Sequence, residues 1–148
     1  MNDMTSYAFA DELEPTLARV RAYWEGLKRG GNAMPFWDDA TISALGEAGD
    51  RALLVDVFED PLRFRVNFAG RAIVERYGAP LAGKFLDEIA LHAPFDRLDS
   101  QCSETVKRRA PTYDRQGRPE NEPVMTYGRM VLPLWGRGRI EMLLGAVE

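Results

Sequence analysis

The chain has 148 residues, of which 45% are hydrophobic and 28% are charged, a composition that predicts one soluble globular domain with a single core. Its 19 Lys and Arg against 23 Asp and Glu give a formal charge of -4, and the basic residues are scattered, so we expect no nucleic-acid partner. Uninterrupted apolar runs such as 52–55 and 131–135 are far shorter than the roughly 20 residues that cross a bilayer, and we expect no membrane span.

The N-terminal residues and the metal-binding residue types also exclude classes of protein. Residues 1–14 contain four acids and no basic residue, unlike a secretory signal, so we expect a cytoplasmic location. The single cysteine, Cys102, and the single histidine, His92, cannot fill a typical zinc site, and we predict no metal. No nucleophile is accompanied by a base and an orienting group in a known motif, so we predict no catalytic residues and no enzyme.

The first predicted element is a helix over 14–29, which follows a flexible N-terminus over 1–13. Pro15 suits the first helical position, and Gly30-Gly31 ends the helix. Apolar residues recur at spacings of 4, 3, 4 and 3 and form one stripe: Leu13, Leu17, Val20, Trp24 and Leu27. Such a stripe packs on the chain's own sheet or forms a seam with a second copy, and both readings stay open.

A first β-hairpin is predicted around a four-residue turn at 59–62. This register pairs Val57 with Phe64, Val55 with Val66 and Leu53 with Phe68 on one apolar face. The opposite face then has Asp56 directly across from Arg65. We expect the N-terminal helix to cover this ion pair and make it a buried strut. Alternatively, Arg63, Arg65 and Arg129 form an anion-binding or partner-binding patch on the outer side of the sheet.

Helices are predicted between the first hairpin and a second one. One short helix ends at Gly78, another follows Gly83, and a longer helix covers 95–109. The polar segment 114–123, with its Gly and Pro, reads as a mobile loop whose role the sequence leaves open.

The second hairpin is predicted to turn through a three-residue loop at 136–138. This loop pairs Leu134 with Ile140, Leu132 with Met142 and Met130 with Leu144 on one apolar face. Because the reverse face is not fully polar, we expect the N-terminal helix to cover it.

The order of these elements, and several short runs within 18–147, resemble the PAS domain, and in particular a bacterial family of small PAS-like domains of largely uncharacterised function. The runs that carry the resemblance are Tyr23-Trp24, Asp60-Pro61-Leu62-Arg63-Phe64-Arg65, Ala69-Gly70, Tyr77-Gly78, Leu132-Pro133-Leu134 and Met142-Leu143-Leu144-Gly145. The resemblance implies an α+β fold over 14–148, with a five-stranded antiparallel sheet, short helices on one face and the N-terminal helix on the other. It also implies sensing, regulation or dimerisation.

The same resemblance implies a core or small pocket between the sheet and the short helices. Its expected strand residues are Phe64, Val66, Phe68, Met130, Leu132 and Met142. Its expected helical residues are Ile73, Tyr77, Phe85, Ile89 and Leu98. If the protein senses a small molecule, this space is a cavity of a few hundred Å³; if it is purely a dimerisation or interaction module, side chains fill the space.

Cofactors and partners follow as further expectations. Haem-binding PAS domains use a helical-side histidine, but we interpret His92 as a partly exposed residue at a turn. Flavin-binding photosensory PAS domains carry an Asn-Cys-Arg run, whereas Cys102 lies between Gln101 and Ser103, so we expect neither haem nor flavin.

The expected partners are a second copy, bound through Leu13, Leu17, Val20, Trp24, Leu27 and Arg65, and a signalling protein, with a small-molecule ligand also open. A third reading, an enzyme of the cone-shaped α+β isomerase type, requires several N-terminal helices, and only one is predicted.

Overall fold

A computed structural model describes residues 12–116 and 127–148. Its α-helices are α1 (Pro15–Gly26), α2 (Arg71–Tyr77) and α3 (Leu98–Arg108), and shorter 3₁₀ segments cover Trp37–Asp39, Ile42–Arg51 and Leu86–Glu88. Its strands are β1 (Ala52–Phe58), β2 (Arg63–Ala69), β3 (Thr112–Gln116), β4 (Tyr127–Gly136) and β5 (Arg139–Val147). Of the predicted flexible segments, 1–11 and 117–123 lie outside the described residues, whereas 114–116, predicted as part of the mobile loop, form the end of β3.

The five strands form one antiparallel sheet in the order β2-β1-β5-β4-β3. The helix α1 lies over β4 and β5 on one face, which we call the outer face. The helices α2 and α3 pack with the opposite, inner face. The predicted α+β class and its two-sided arrangement are therefore confirmed. No helix in the described part of the chain combines the length and the apolar character that spanning a bilayer requires.

The apolar stripe of α1 packs on the chain's own sheet. Leu17, Val20 and Trp24 are buried with residues of β4 and β5, and the Trp24 indole N–H donates to the carbonyl of Pro133 at 2.9 Å. The predicted use of these three residues as a seam with a second copy is wrong, because the core of one chain already covers them. Leu13 and Leu27, at the two ends, are half-buried.

The beginning of α1 is held to the sheet by carboxylates. The backbone N–H of Thr16 donates to Glu148 at 2.7 Å, and Glu14 accepts from Arg115 at 2.6 Å. The Glu14 carboxylate lies directly on Gly128, where a side-chain carbon would overlap it. Glycine at this position therefore leaves room for the Glu14 carboxylate against β4.

A β-bulge changes the register of the first hairpin. Val57 pairs with Phe64, Val55 with Val66 and Asp56 with Arg65, as predicted. Beyond Val55 the register shifts, so Leu54 rather than Leu53 pairs with Phe68. A bulge adds one residue to one strand and thereby turns the side chains beyond it to the other face. Phe68 consequently lies on the outer face and is 38% exposed, contrary to its predicted place in the interior.

The second hairpin differs from prediction in both its turn and its faces. Arg137 and Gly138 form a two-residue turn with φ of 47° and 78°, and the register shifts between Leu134 and Trp135, opposite the extra residue Glu141 of β5. The pairing is therefore Leu134 with Met142 and Leu132 with Leu144, so the predicted pairs are wrong. Positive φ at both turn residues is typical of the tightest hairpins, whose twist suits the flanking strands.

Pairing between β1 and β5 decides which face of the second hairpin turns inward. Val55 pairs with Leu143, which places Leu143 on the inner face, and Leu54 pairs with Leu144 on the outer face. Three residues predicted for the interior, Met130, Leu132 and Met142, consequently lie beneath α1. Both faces of β4 are buried, so its apolar residues alone could not distinguish one face from the other.

Candidate functional site

The predicted interior space contains six of its eleven expected residues. Four of the six are buried: Phe64, Val66, Ile73 and Leu98. The other two, Tyr77 and Ile89, are partly buried and pack against them. They belong to one continuous cluster of contacting side chains that also includes Leu86, Val131 and Leu143. The interior therefore has the character of a core. A cavity of about 260 Å³ borders this cluster at Phe64 and Leu86 and is otherwise lined by Leu62, Arg63, Asp87, Asp99, Ser100 and Ser103.

The other five residues lie elsewhere. Phe68 and the three methionine and leucine residues of the second hairpin are on the outer face, as described above. Phe85 is half-buried beside β2, with its ring 5.5 Å from the ring of Phe58 and 3.8 Å from the guanidinium of Arg63. Its neighbour Leu86 is buried instead. The inward-facing position is thus occupied by Leu86, one residue after the Phe85 that was predicted for it.

Cys102 and His92 have unlike environments. Cys102 is buried in the inner core, and desolvation raises the pKa of its thiol to about 12, although the positive charge of Arg129 acts in the opposite direction. The thiolate is therefore disfavoured at neutral pH. His92 is exposed, and its ring stacks on Tyr77 at 4.9 Å between centroids.

Arg129 does not belong to an outer patch, because it is fully buried on the inner side of the sheet. Its Nε donates to Gln101 Oε1 at 2.7 Å, and its Nη1 donates to the carbonyls of Pro94 at 3.0 Å and Asp96 at 2.9 Å. Its Nη2 lies 3.4 Å from the Asp114 carboxylate. The suggested patch of Arg63, Arg65 and Arg129 is therefore wrong.

The buried arginine is part of a polar network that joins α3 to β3 and β4. Gln101 Nε2 donates to Thr112 at 3.1 Å and to the Arg129 carbonyl at 3.2 Å, and the hydroxyls of Thr105 and Thr112 are 2.7 Å apart. Gln101 and Thr105 are four residues apart and so share one helical face, a signal that the sequence did offer. Because its hydrogen bonds are met internally, we assign this network a structural role.

A cleft on the outer face lies beyond the edge of α1 and has a volume of about 260 Å³. We call it the arginine cleft. Its walls come from β1, β2, the second hairpin and the first 3₁₀ segment: Trp37, Asp56, Val57, Phe58, Arg65, Arg137, Arg139, Glu141 and Met142. Only Arg65 and Met142 among these were predicted as site residues.

Ion pairs inside the arginine cleft are arranged with the acids inward. Arg65 pairs with Asp56 at 3.0 Å, and the two side chains are 41% and 18% exposed. Arg137 pairs with Glu141 at 2.7 Å, and these side chains are 81% and 11% exposed. Arg139 lies 3.6 Å from the same Glu141 oxygen. The solvent-facing surface of the cleft is therefore more positive than its three arginines and two acids would suggest.

Glu141 is held in its charged form. The hydrogen bond from Arg137 is the largest influence and, with the charges of Arg139 and Arg137, lowers the pKa of Glu141 against the opposing effect of burial. Its Oε1 atom is buried and accepts no hydrogen bond from the described residues. The sequence hinted at this cluster only through two arginines that flank Gly138 in a predicted turn.

A second surface cleft, of about 300 Å³, lies around the ring of Trp135. Phe36 and Met34 line it, and the guanidinium of Arg109 lies 4.9 Å from the Trp135 ring. Among the residues that the structure describes, no group of three or more His, Cys, Asp or Glu side chains could hold a metal ion.

Comparison with known proteins gives matches to solved structures alone. No protein-family model and no curated protein matches the chain. A structure concerning a flavin analogue and the light-oxygen-voltage (LOV) domain mechanism is 16% identical, with 72% of this chain and 81% of that chain covered and a TM-score of 0.47. The light-state LOV structure of the photoreceptor Aureochrome1 is 14% identical, with 74% and 88% covered and a TM-score of 0.46.

A third similar structure is a LOV protein of Rhodobacter sphaeroides. It is 15% identical, with 90% of this chain but only 65% of that chain covered, and the TM-score is 0.45. At these identities the likeness concerns the fold, and we derive no function from it.

The comparison nevertheless corrects one prediction. We expected flavin not to be a cofactor, and this expectation conflicts with similar structures that are LOV domains, one of them described with a flavin analogue. The expectation is withdrawn.

Proposed function

We propose that this chain, which is a PAS domain by its fold, is a regulatory module that acts by binding other proteins. The observation that carries the proposal is the mutual contact of the side chains that were expected to line a pocket. The residues expected to surround a ligand instead contact one another and the rest of the core. A close-packed interior offers little room for a small molecule without rearrangement, so the surface is left as the place of recognition.

The surface supports the same proposal. Two clefts of about 260 and 300 Å³ lie at the surface, and each combines aromatic side chains with arginine. Aromatic residues and arginine are enriched where proteins bind one another. These clefts also lack a histidine or cysteine that could serve a reaction. We therefore propose a binding role and no catalysis.

Native mass spectrometry of gently purified protein tests the proposal against small-molecule sensing. We expect the mass of the chain alone or of its multiples, and no thermal shift when a set of small metabolites is added. Denatured protein from the same preparation serves as the control for covalently attached groups. A molecule retained at one per chain, and released on denaturation, would overturn the proposal in favour of ligand sensing.

A further inference from the structure

We propose that the arginine cleft binds an acidic segment of a partner protein, in which a carboxylate lies next to one large apolar side chain. The carboxylate would be bound by Arg65 or Arg137, and the apolar side chain by Trp37 and Phe58. This inference depends on the proposed function and names the chemistry of the partner.

The first support is electrostatic. The cleft holds three arginines and two acids, and in each ion pair the carboxylate is the more buried group. An approaching segment therefore meets guanidinium groups first. Charge complementarity of this kind steers association and selects between partners.

Unused donors are the second support. Arg137 gives Glu141 one hydrogen bond, through Nη2, and Arg65 directs both Nε and Nη2 to the same oxygen of Asp56. A guanidinium has five N–H donors in a planar fork that matches a carboxylate. Each of these two arginines thus has N–H groups that form no hydrogen bond with other described residues.

The third support is an apolar surface beside the charges. Trp37 is 39% exposed, and its indole lies so close to Gly136 that a side-chain carbon there would collide with it. Glycine lets the ring lie against the backbone of the hairpin. Phe58 and Met142 line the same cleft. A volume of about 260 Å³ is small for a drug-sized ligand and suits a single large side chain.

A second copy of this chain fits the cleft less well. In a symmetric dimer the same patch meets itself across a two-fold axis. The exposed arginines of one cleft would then meet those of the other, and like charges oppose each other across an interface. An acidic segment avoids this repulsion, which is why we choose it as the occupant.

Selection from a random dodecapeptide phage library on the immobilised full chain tests the inference without assuming a sequence. We expect the recovered peptides to share an Asp or Glu next to an aromatic or large aliphatic residue. A synthetic fluorescent copy of a recovered peptide should bind the wild-type chain, more weakly as salt rises. Arg137→Glu should weaken binding by about tenfold or more, because it reverses an exposed charge at the site. Trp37→Ala should weaken it at unchanged charge.

The matched control is Arg71→Glu. Arg71 is 77% exposed and also has one acidic partner, Asp50 at 3.4 Å, but it lies at the start of α2 and outside the cleft. We expect its peptide affinity to equal that of the wild type, and circular dichroism should show all three variants folded.

Several results would overturn the inference. Recovered peptides that lack acids, that bind Arg137→Glu as well as wild type, or that fail to appear at all would each do so. A dimer that Arg137→Glu dissociates would place a second copy in the cleft instead. Peptides that bind elsewhere leave the interaction function intact, whereas a retained small molecule in the mass measurement counts against that function itself.

Discussion

Arg129 combines the chemistry of a surface residue with the position of a core residue. Its guanidinium donates to Gln101 and to two backbone carbonyls and lies near Asp114, all within the inner side of the domain. Removal of a buried charged donor costs stability, because the buried groups that accepted from it stay away from water.

Arg129→Met should therefore destabilise the protein strongly. We expect the free energy of unfolding in urea to fall by about 3–5 kcal/mol, because the carbonyls of Pro94 and Asp96 lose the charged donor that they accept from. Arg71→Met, which removes an exposed guanidinium, is the control and should change stability little. Equal losses of stability in the two variants would show that the buried network stabilises the fold no more than an exposed arginine does.

The Asp56–Arg65 pair is not the buried strut that the sequence suggested. It lies beyond the cover of α1, and Arg65 keeps 41% of its side-chain exposure. We expect Asp56→Ala to lower the free energy of unfolding by less than about 1 kcal/mol, the range of solvent-screened pairs. Asp50→Ala, which breaks the exposed pair with Arg71, is the matched control in the same urea titration. A loss of several kcal/mol from Asp56→Ala alone would instead support the predicted role of this pair as a buried structural ion pair.

Cys102 should not react with thiol reagents while the domain is folded. Burial raises the pKa of its thiol to about 12, so both access and the thiolate fraction are low. We expect an aromatic disulfide reagent to label it only at the rate of unfolding, and quickly in urea. Ser103→Cys in a Cys102→Ala background places a thiol at the half-buried neighbouring position and should react faster without urea. Rapid labelling of native Cys102 would contradict the packed interior.

At the scale of elements, α1 is a structural part of the domain. Its three buried apolar residues contact the outer face of β4 and β5. The heptad-like spacing that suggested a seam between two copies arises because any helix on a sheet needs a similar stripe.

Leu17→Ala distinguishes the two roles of this helix. Truncation of a fully buried leucine should lower the free energy of unfolding by about 2–5 kcal/mol. Leu27→Ala, at the half-buried end of the same stripe, should cost less. Chemical denaturation at several protein concentrations provides the measurement. A folded Leu17→Ala variant of unchanged stability and lower molecular mass would instead support the seam.

At the scale of the whole molecule, a homodimer remains a prediction, and the three buried residues of α1 are not available for its interface. The outer face beyond α1 keeps Phe68 exposed opposite Leu54, where the bulge in β2 turns it outward. If this area joins two copies, Phe68→Glu should give a folded monomer. Light scattering with circular dichroism tests this, and Glu75→Gln on α2 is a control that should leave the mass unchanged. A Phe68→Glu variant with dimer mass would exclude this surface.

Much of the fold could be predicted from neighbouring residues. Pro15 and Gly78 marked the start of α1 and the end of α2, and the Asp56–Arg65 pairing came from the turn at 59–62. Turn chemistry and short periodicities are local properties of the chain, so the residues that carry them are enough to reveal them.

The faces and the site depended on contacts between distant segments. One extra residue at the bulge in β2 turned Phe68 outward, and the pairing of β1 with β5 placed Met130, Leu132 and Met142 beneath α1. Side chains in a strand alternate with a period of two, so a shift of one residue inverts a face without altering the apolar pattern. The arginine cleft likewise exists only because the first 3₁₀ segment, β1 and the second hairpin meet in space, a consequence of long-range packing that no single stretch of chain encodes.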